Sequence, residues 1–89
     1  MNPPFQIIYH PDVAIKDLPK IAHPVKERIR KAIELKLSQA PEEFGEPLRR
    51  TLKGYWKLRV GDYRVIYKVM QSTAVLILRI GHRREVYKK

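Results

Sequence analysis

The sequence predicts a single α+β domain spanning residues 1–89, with element order β-α-α-β-β-β. Three observations carry this. Apolar residues recur at steps of three and four only between Val25 and Ala40, which marks one amphipathic helix. After Gly54 the period drops to two, through YWKLRV (55–60) and YRVIYKV (63–69). The run TAVLILRI (73–80) is apolar on both faces, as a strand deep in a sheet must be. A helical hairpin packed on one face of a mainly antiparallel sheet satisfies all three, and 89 residues suffice for one modest core.

FQIIY (5–9) is short and β-rich, an N-terminal strand. HPD then turns the chain, with Asp12 placed to N-cap a short helix through Val13, Ala14, Ile15 and Leu18 that Pro19 ends. Pro24 suits a first helical turn. From there Val25, Ile29, Ala32, Ile33, Leu37 and Ala40 line one face of a helix of about four turns, stopped by Pro41. Lys26, Arg30, Lys31 and Lys36 solvate its other face. PEEFGEP (41–47) concentrates proline, glycine and acid and is predicted to be a surface connection.

Three strands follow as an antiparallel meander. Gly61 and Asp62 form the tight turn between the first two, and Gln71 and Ser72 turn the chain into the third. Alternation puts Trp56, Leu58, Val60, Val65, Tyr67 and Val69 on the face that receives the helices. The opposite face carries Tyr55, Lys57, Arg59, Arg64 and Lys68. Gly81 lets the chain bend into the short basic tail IGHRREVYKK (80–89), bringing His82, Arg83, Arg84 and Tyr87 beside that face.

The net charge of +10 is unevenly spread. Residues 1–45 carry seven Lys/Arg against six Asp/Glu, and residues 46–89 carry twelve against three. Such a field draws polyanions, above all nucleic acid. Packing alone does not ask for four cations side by side on two strands, so a bound phosphate backbone is the better account. Arg49, Arg50 and Lys53 would grip that backbone, and Tyr55 and Tyr87 can stack on bases.

Much chemistry is excluded. With no cysteine there is no disulfide and no thiolate zinc site, and His10, His23 and His82 are scattered. After Gly54 the only acids are Asp62 and Glu85, too few for a two-metal phosphodiesterase. No phosphate-binding glycine loop, no serine nucleophile motif and no cofactor signature is present. No segment reaches the roughly 20 apolar residues of a membrane span, so a soluble cytoplasmic protein is expected. One reaction needs none of the missing parts: cleavage of RNA by its own 2′-hydroxyl. It requires a base, an acid and cations around the developing charge. Arginine forks suit the last role, and lysine, tyrosine or a histidine such as His82 can move the proton.

The segments LKGYWKLRVGDYRVIYKV and IGHRREVY resemble the RelE/ParE superfamily of toxins from toxin–antitoxin pairs, and within it the RelE branch. The resemblance covers nearly the whole chain and implies the same β-α-α-β-β-β fold. It implies a translation inhibitor, a metal-independent endoribonuclease (mRNA interferase) that cuts messenger RNA at the codon in the ribosomal A site. By position it gives Lys57 proton transfer, Arg64 contact with the scissile phosphate, Arg83 transition-state stabilisation, and Tyr87 base stacking or handling of the 2′-hydroxyl. Arg59, Lys68 and Arg84 would add RNA affinity. Two alternatives share the fold: a ParE-like toxin that inhibits DNA gyrase by protein contact, and an inactive RNA- or ribosome-binding relative. Either toxin implies a cognate antitoxin. Charge alone asks for an acidic, partly disordered partner, with a helix in an apolar groove and an acidic segment over the basic face.

Overall fold

The computed structural model describes residues 4–48, 54–71 and 73–87. They form a five-stranded open sheet with helices on one face, an α+β architecture as the sequence predicts. Strand β1 is Gln6–Tyr9. Helix α1 follows, winding in π-type turns over Val13–Asp17 and in a 3-10 turn over Leu18–Lys20. Helix α2 is regular over His23–Ala32 and continues in π-type winding through Ile33–Leu37, and α3 is the single turn Pro41–Phe44. The remaining strands are β2 (Glu46–Pro47), β3 (Tyr55–Val60), β4 (Tyr63–Met70) and β5 (Ala74–His82).

The sheet order is β1-β5-β4-β3-β2. β3, β4 and β5 make the expected antiparallel meander, hinged at Gly61, whose φ of 59° lies where a side chain is disfavoured. β1 pairs parallel to β5, from Gln6↔Ala74 to Tyr9↔Ile77. His10 N–H still donates to the Ile77 carbonyl at 2.8 Å; beyond it the chain leaves that edge, and α1 takes over the hydrogen bonding. The Ile80 N–H donates to Asp17 Oδ2 at 2.8 Å, which satisfies a strand edge that β1 no longer covers. Asp17→Ala should therefore cost about 1–3 kcal/mol, and Asp17→Asn, which keeps an acceptor, much less. Equal urea midpoints for both variants and the parent would refute this role.

Two local expectations need correction. Asp12 makes no side-chain cap; its own N–H donates to His10 Nδ1 at 3.0 Å and helical winding already begins at Pro11. PEEFGEP is not a plain surface connection. Ala40, kept out of helical geometry by the following proline (φ −148°, ψ 70°), separates α2 from α3, and Pro41 restarts the chain as α3. Pro41 is buried, and its carbonyl accepts the Tyr67 hydroxyl at 2.6 Å. Glu46–Pro47 then adds a two-residue strand outside β3, an edge where proline's missing N–H does no harm.

The core lies between α1, α2 and one sheet face. Val13, Ile29, Ile33 and Leu37 from the helices meet Leu58, Val65, Tyr67, Val75, Ile77 and Ile80 from the strands. Ile29, Ile33 and Leu37 sit four residues apart, the stripe read from the sequence. On the solvent side of α2, Arg30 bonds both Glu27 (2.6 Å) and Glu34 (3.1 Å), and its guanidinium holds the Glu27 carboxyl below the usual range. The pairs are exposed and add little to stability.

Candidate active site

Strand alternation puts Tyr55, Lys57 and Arg59 of β3 on the face away from the helices, opposite Lys68, Ile66 and Arg64 of β4 in that order. Across β5 the rows continue as Lys57–Ile66–Arg79 and Arg59–Arg64–Gly81. The basic face is thus a grid of cross-strand rows, with an aromatic at one end. Lys68 Nζ sits 5.6 Å from the centroid of the Tyr55 ring. Trp56 points the other way and packs against the core.

The segment after β5 does not swing free at Gly81. The strand runs on through His82, and residues 83–87 form a turn that folds back over the same face. Arg83 N–H donates to the Asp62 carbonyl at 2.8 Å, and the N–H groups of Glu85 and Val86 donate to the His82 carbonyl at 2.8 and 2.9 Å. Val86 is 3% exposed and lies on Gly81, where an added Cβ would stand 3.3 Å from its own. Gly81 therefore provides room rather than a hinge. The turn delivers Tyr87 to the β3 side of the grid: the residue is 52% exposed, and Lys57 Nζ lies 5.8 Å from its ring centroid.

The other predicted residues fall into distinct settings. Arg64 is only 7% exposed; its Nη1 donates to the carbonyls of Gly61 (3.0 Å) and Tyr63 (2.9 Å), which anchors the guanidinium at the hairpin end and offsets its proximity to Arg59. Arg83 is exposed, with Nε 3.9 Å from the Asp62 carboxylate. Arg59 and Arg84 are exposed as well. His82 is set apart from Lys57 and Tyr87. It pairs with Tyr63, whose ring packs on the core side, and the two rings meet edge-on at 5.5 Å. Its Nδ1 accepts the Arg84 N–H at 3.1 Å, so in the neutral ring the proton sits on Nε2. Arg49, Arg50 and Lys53 lie outside the described residues.

Sequence reasoning missed Arg79. Counting by twos from Val75 and Ile77 would bury it, but a β-bulge at Leu78 resets the phase, turning Arg79 outward and Ile80 into the core. The signal was present: an arginine that strict alternation would drive into an apolar core. Its Nη1 donates to the Val86 carbonyl at 2.7 Å. Chemically, the assembled face offers an amine beside a phenol for proton transfer and arginines at the hairpin end and on the turn for an anionic oxygen.

A sequence-family model described as "ParE toxin of type II toxin-antitoxin system, parDE" matches residues 7–87. Toxin RelG of Mycobacterium tuberculosis is 43% identical over 54 residues, which span 60% of this chain and 62% of that protein, less than two thirds of its length. A chain of the M. tuberculosis RelBE2 toxin–antitoxin complex superposes with a TM-score of 0.80 at 32% identity, covering 92% of this chain and 94% of that one. The RelB–RelE complex of Methanococcus jannaschii contains a chain with the same fold, at a TM-score of 0.69 and 23% identity over 90% and 94% of the two chains.

Proposed function

We infer the activity from one premise, that the chain belongs to the ParE toxin family of type II toxin–antitoxin systems, within the RelE/ParE superfamily: it is a toxin, and we propose that it acts as a ribosome-dependent messenger RNA endoribonuclease. The observation that carries this reading is the pairing of Lys57 and Tyr87 on a basic sheet face, with Arg64 and Arg83 near the same hairpin. In the reaction, the 2′-oxygen attacks the neighbouring phosphorus and the P–O5′ bond breaks, leaving a cyclic phosphate and a 5′-hydroxyl. Lys57 and Tyr87 are the pair that takes the 2′-proton and returns one to O5′. Arg64 and Arg83 hold the phosphate oxygens as charge builds. None of these steps uses a metal or cofactor.

The same family supports a cognate antitoxin as partner. The relatives superposed above were solved as toxin–antitoxin complexes, and a chain of net charge +10 favours an acidic, extended binder. A cleft of about 260 Å³ between β1, α1, α2 and β5, apolar at Tyr9, Leu18, Ile29, Ile33 and Ile80 and bordered by the charged Lys26, Glu27, Arg30 and Glu34, is suited to its helix.

Primer extension on a translated message should show cuts within A-site codons after addition of the purified toxin, and none on the same message without ribosomes. A second reading, contact inhibition of DNA gyrase, is favoured by the family model, which is named for ParE. Gyrase-dependent DNA breaks with messages left intact would decide for it.

A further inference from the structure

We propose that Arg79 is a positioning residue for the proposed cleavage, and that the β-bulge at Leu78 serves to aim it. The inference rests on the nuclease reading and adds to it a residue outside the Lys57, Arg64, Arg83 and Tyr87 set.

Three observations bear on it. Arg79 occupies the same cross-strand row as Lys57, with Ile66 between them on β4. Its guanidinium reaches from that row to the Val86 carbonyl at 2.7 Å. That carbonyl belongs to the peptide unit whose nitrogen is Tyr87's, so holding it fixes the plane from which the Tyr87 ring departs. The ring then lies 5.8 Å from Lys57 Nζ. Arg79 and Lys57 thus sit on either side of Ile66, one holding the backbone before Tyr87 and the other meeting its side chain.

The rest of the turn is secured elsewhere. Backbone bonds tie Arg83 to Asp62, and Glu85 and Val86 to His82, while the Val86 side chain packs on Gly81. These contacts keep the turn folded, and the Arg79 bond adds the orientation of its last peptide. An arginine suits this task because a rigid, always charged fork fixes direction as well as distance. Were Leu78 paired regularly instead of bulged, alternation would point the Arg79 side chain into the core and the grip would be absent. Bulges of this kind re-aim side chains next to active sites.

The test uses the full chain in a cell-free translation reaction, with Arg79→Ala and Arg79→Lys beside the parent, and 3-fluorotyrosine placed at Tyr87 for ¹⁹F NMR. Arg79→Ala should lower the single-turnover cleavage rate at saturating ribosomes about 10- to 100-fold, the scale of a misplaced reacting group. The half-saturating ribosome concentration should stay within about threefold of the parent's. The fluorine resonance should shift or broaden in Arg79→Ala, and Arg79→Lys, which keeps a donor, should recover part of both signals. A parent-like rate and parent-like resonance in Arg79→Ala would overturn the proposal, as would a loss of rate confined to ribosome affinity. If the parent itself cuts no message, the nuclease reading fails, and an unchanged resonance in Arg79→Ala would still refute the positioning role on its own.

Discussion

Joining Arg83→Ala to Tyr87→Phe should reduce cutting of A-site codons to background while the melting temperature stays within a few degrees of the parent's. The Arg83 side chain is 53% exposed and meets an exposed carboxylate at 3.9 Å, a contact of little consequence for folding. Its backbone bond to Asp62 survives the substitution. The change at Tyr87 removes one hydroxyl from a half-exposed ring and leaves the ring beside Lys57. The cost falls on the reaction. Losing a proton-handling group costs about 10²- to 10⁴-fold, and losing a cation that meets the developing charge costs about 10²- to 10³-fold. Because the two serve one transition state, the double variant should fall short of the product of the singles. Cutting at the parent's rate in the double variant would sink the assignment of these residues.

Among the described glycines, Gly45→Ala should meet the most severe clash and be strongly destabilising. A Cβ at Gly45 would overlap the Tyr67 hydroxyl and stand 2.9 Å from the Lys57 carbonyl oxygen. Tyr67 is fully buried and donates to the Pro41 carbonyl, so displacing it strands a buried donor and acceptor. Overpacking of about 1–3 kcal/mol, with a similar amount for the unmade bond, is a large share of the about 5–15 kcal/mol that holds a domain folded. At about 4–8 °C per kcal/mol, a fall of roughly 10 °C or more in melting temperature is expected. The diagnostic variant is Gly45→Ala with Tyr67→Phe, which removes the hydroxyl that the new methyl would strike. It should be less destabilised than the sum of its parts, and simple additivity would rule out the clash. The same hydroxyl has a pH consequence. Burial, then the Glu42 carboxylate, push the Tyr67 phenol well above its ordinary value. Stability tied to its neutral form is fully present below about pH 10, where the unfolded phenol titrates, and is lost as pH rises toward the folded value.

How much was legible depended on whether one residue's periodicity decided its place. β3 and β4 face apolar on one side and charged on the other, so their alternation fixed both extent and orientation, and the register Lys57↔Ile66 follows from the tight turn at Gly61. β5 is apolar on both sides up to Leu78, so its only sign of the bulge is Arg79 itself, which strict alternation from Val75 and Ile77 would bury. Arg64 read as an outward cation, yet hairpin carbonyls that no side-chain pattern encodes draw it into burial. Gly81 looked like a hinge, because a glycine used for close approach and one used for bending are the same letter. The parallel pairing of β1 with β5 lay beyond local reading, because it joins residues more than 60 positions apart.

That pairing also governs when the protein can exist. β5 lies between β1 and β4, so of the five strands the one synthesised last is an interior one. Tyr9 ends β1 and Ala74 opens β5, 65 residues further along the chain. At 5–20 residues per second, roughly 3 to 13 seconds of translation separate the first strand from its partner. During that interval β1 has no neighbour and the turn bearing Tyr87 has not been made. Under the proposed function, a nascent chain that still lacks β5 and Tyr87 should cut no message. A fragment that ends before β5 lacks the strand that joins β1 to β4.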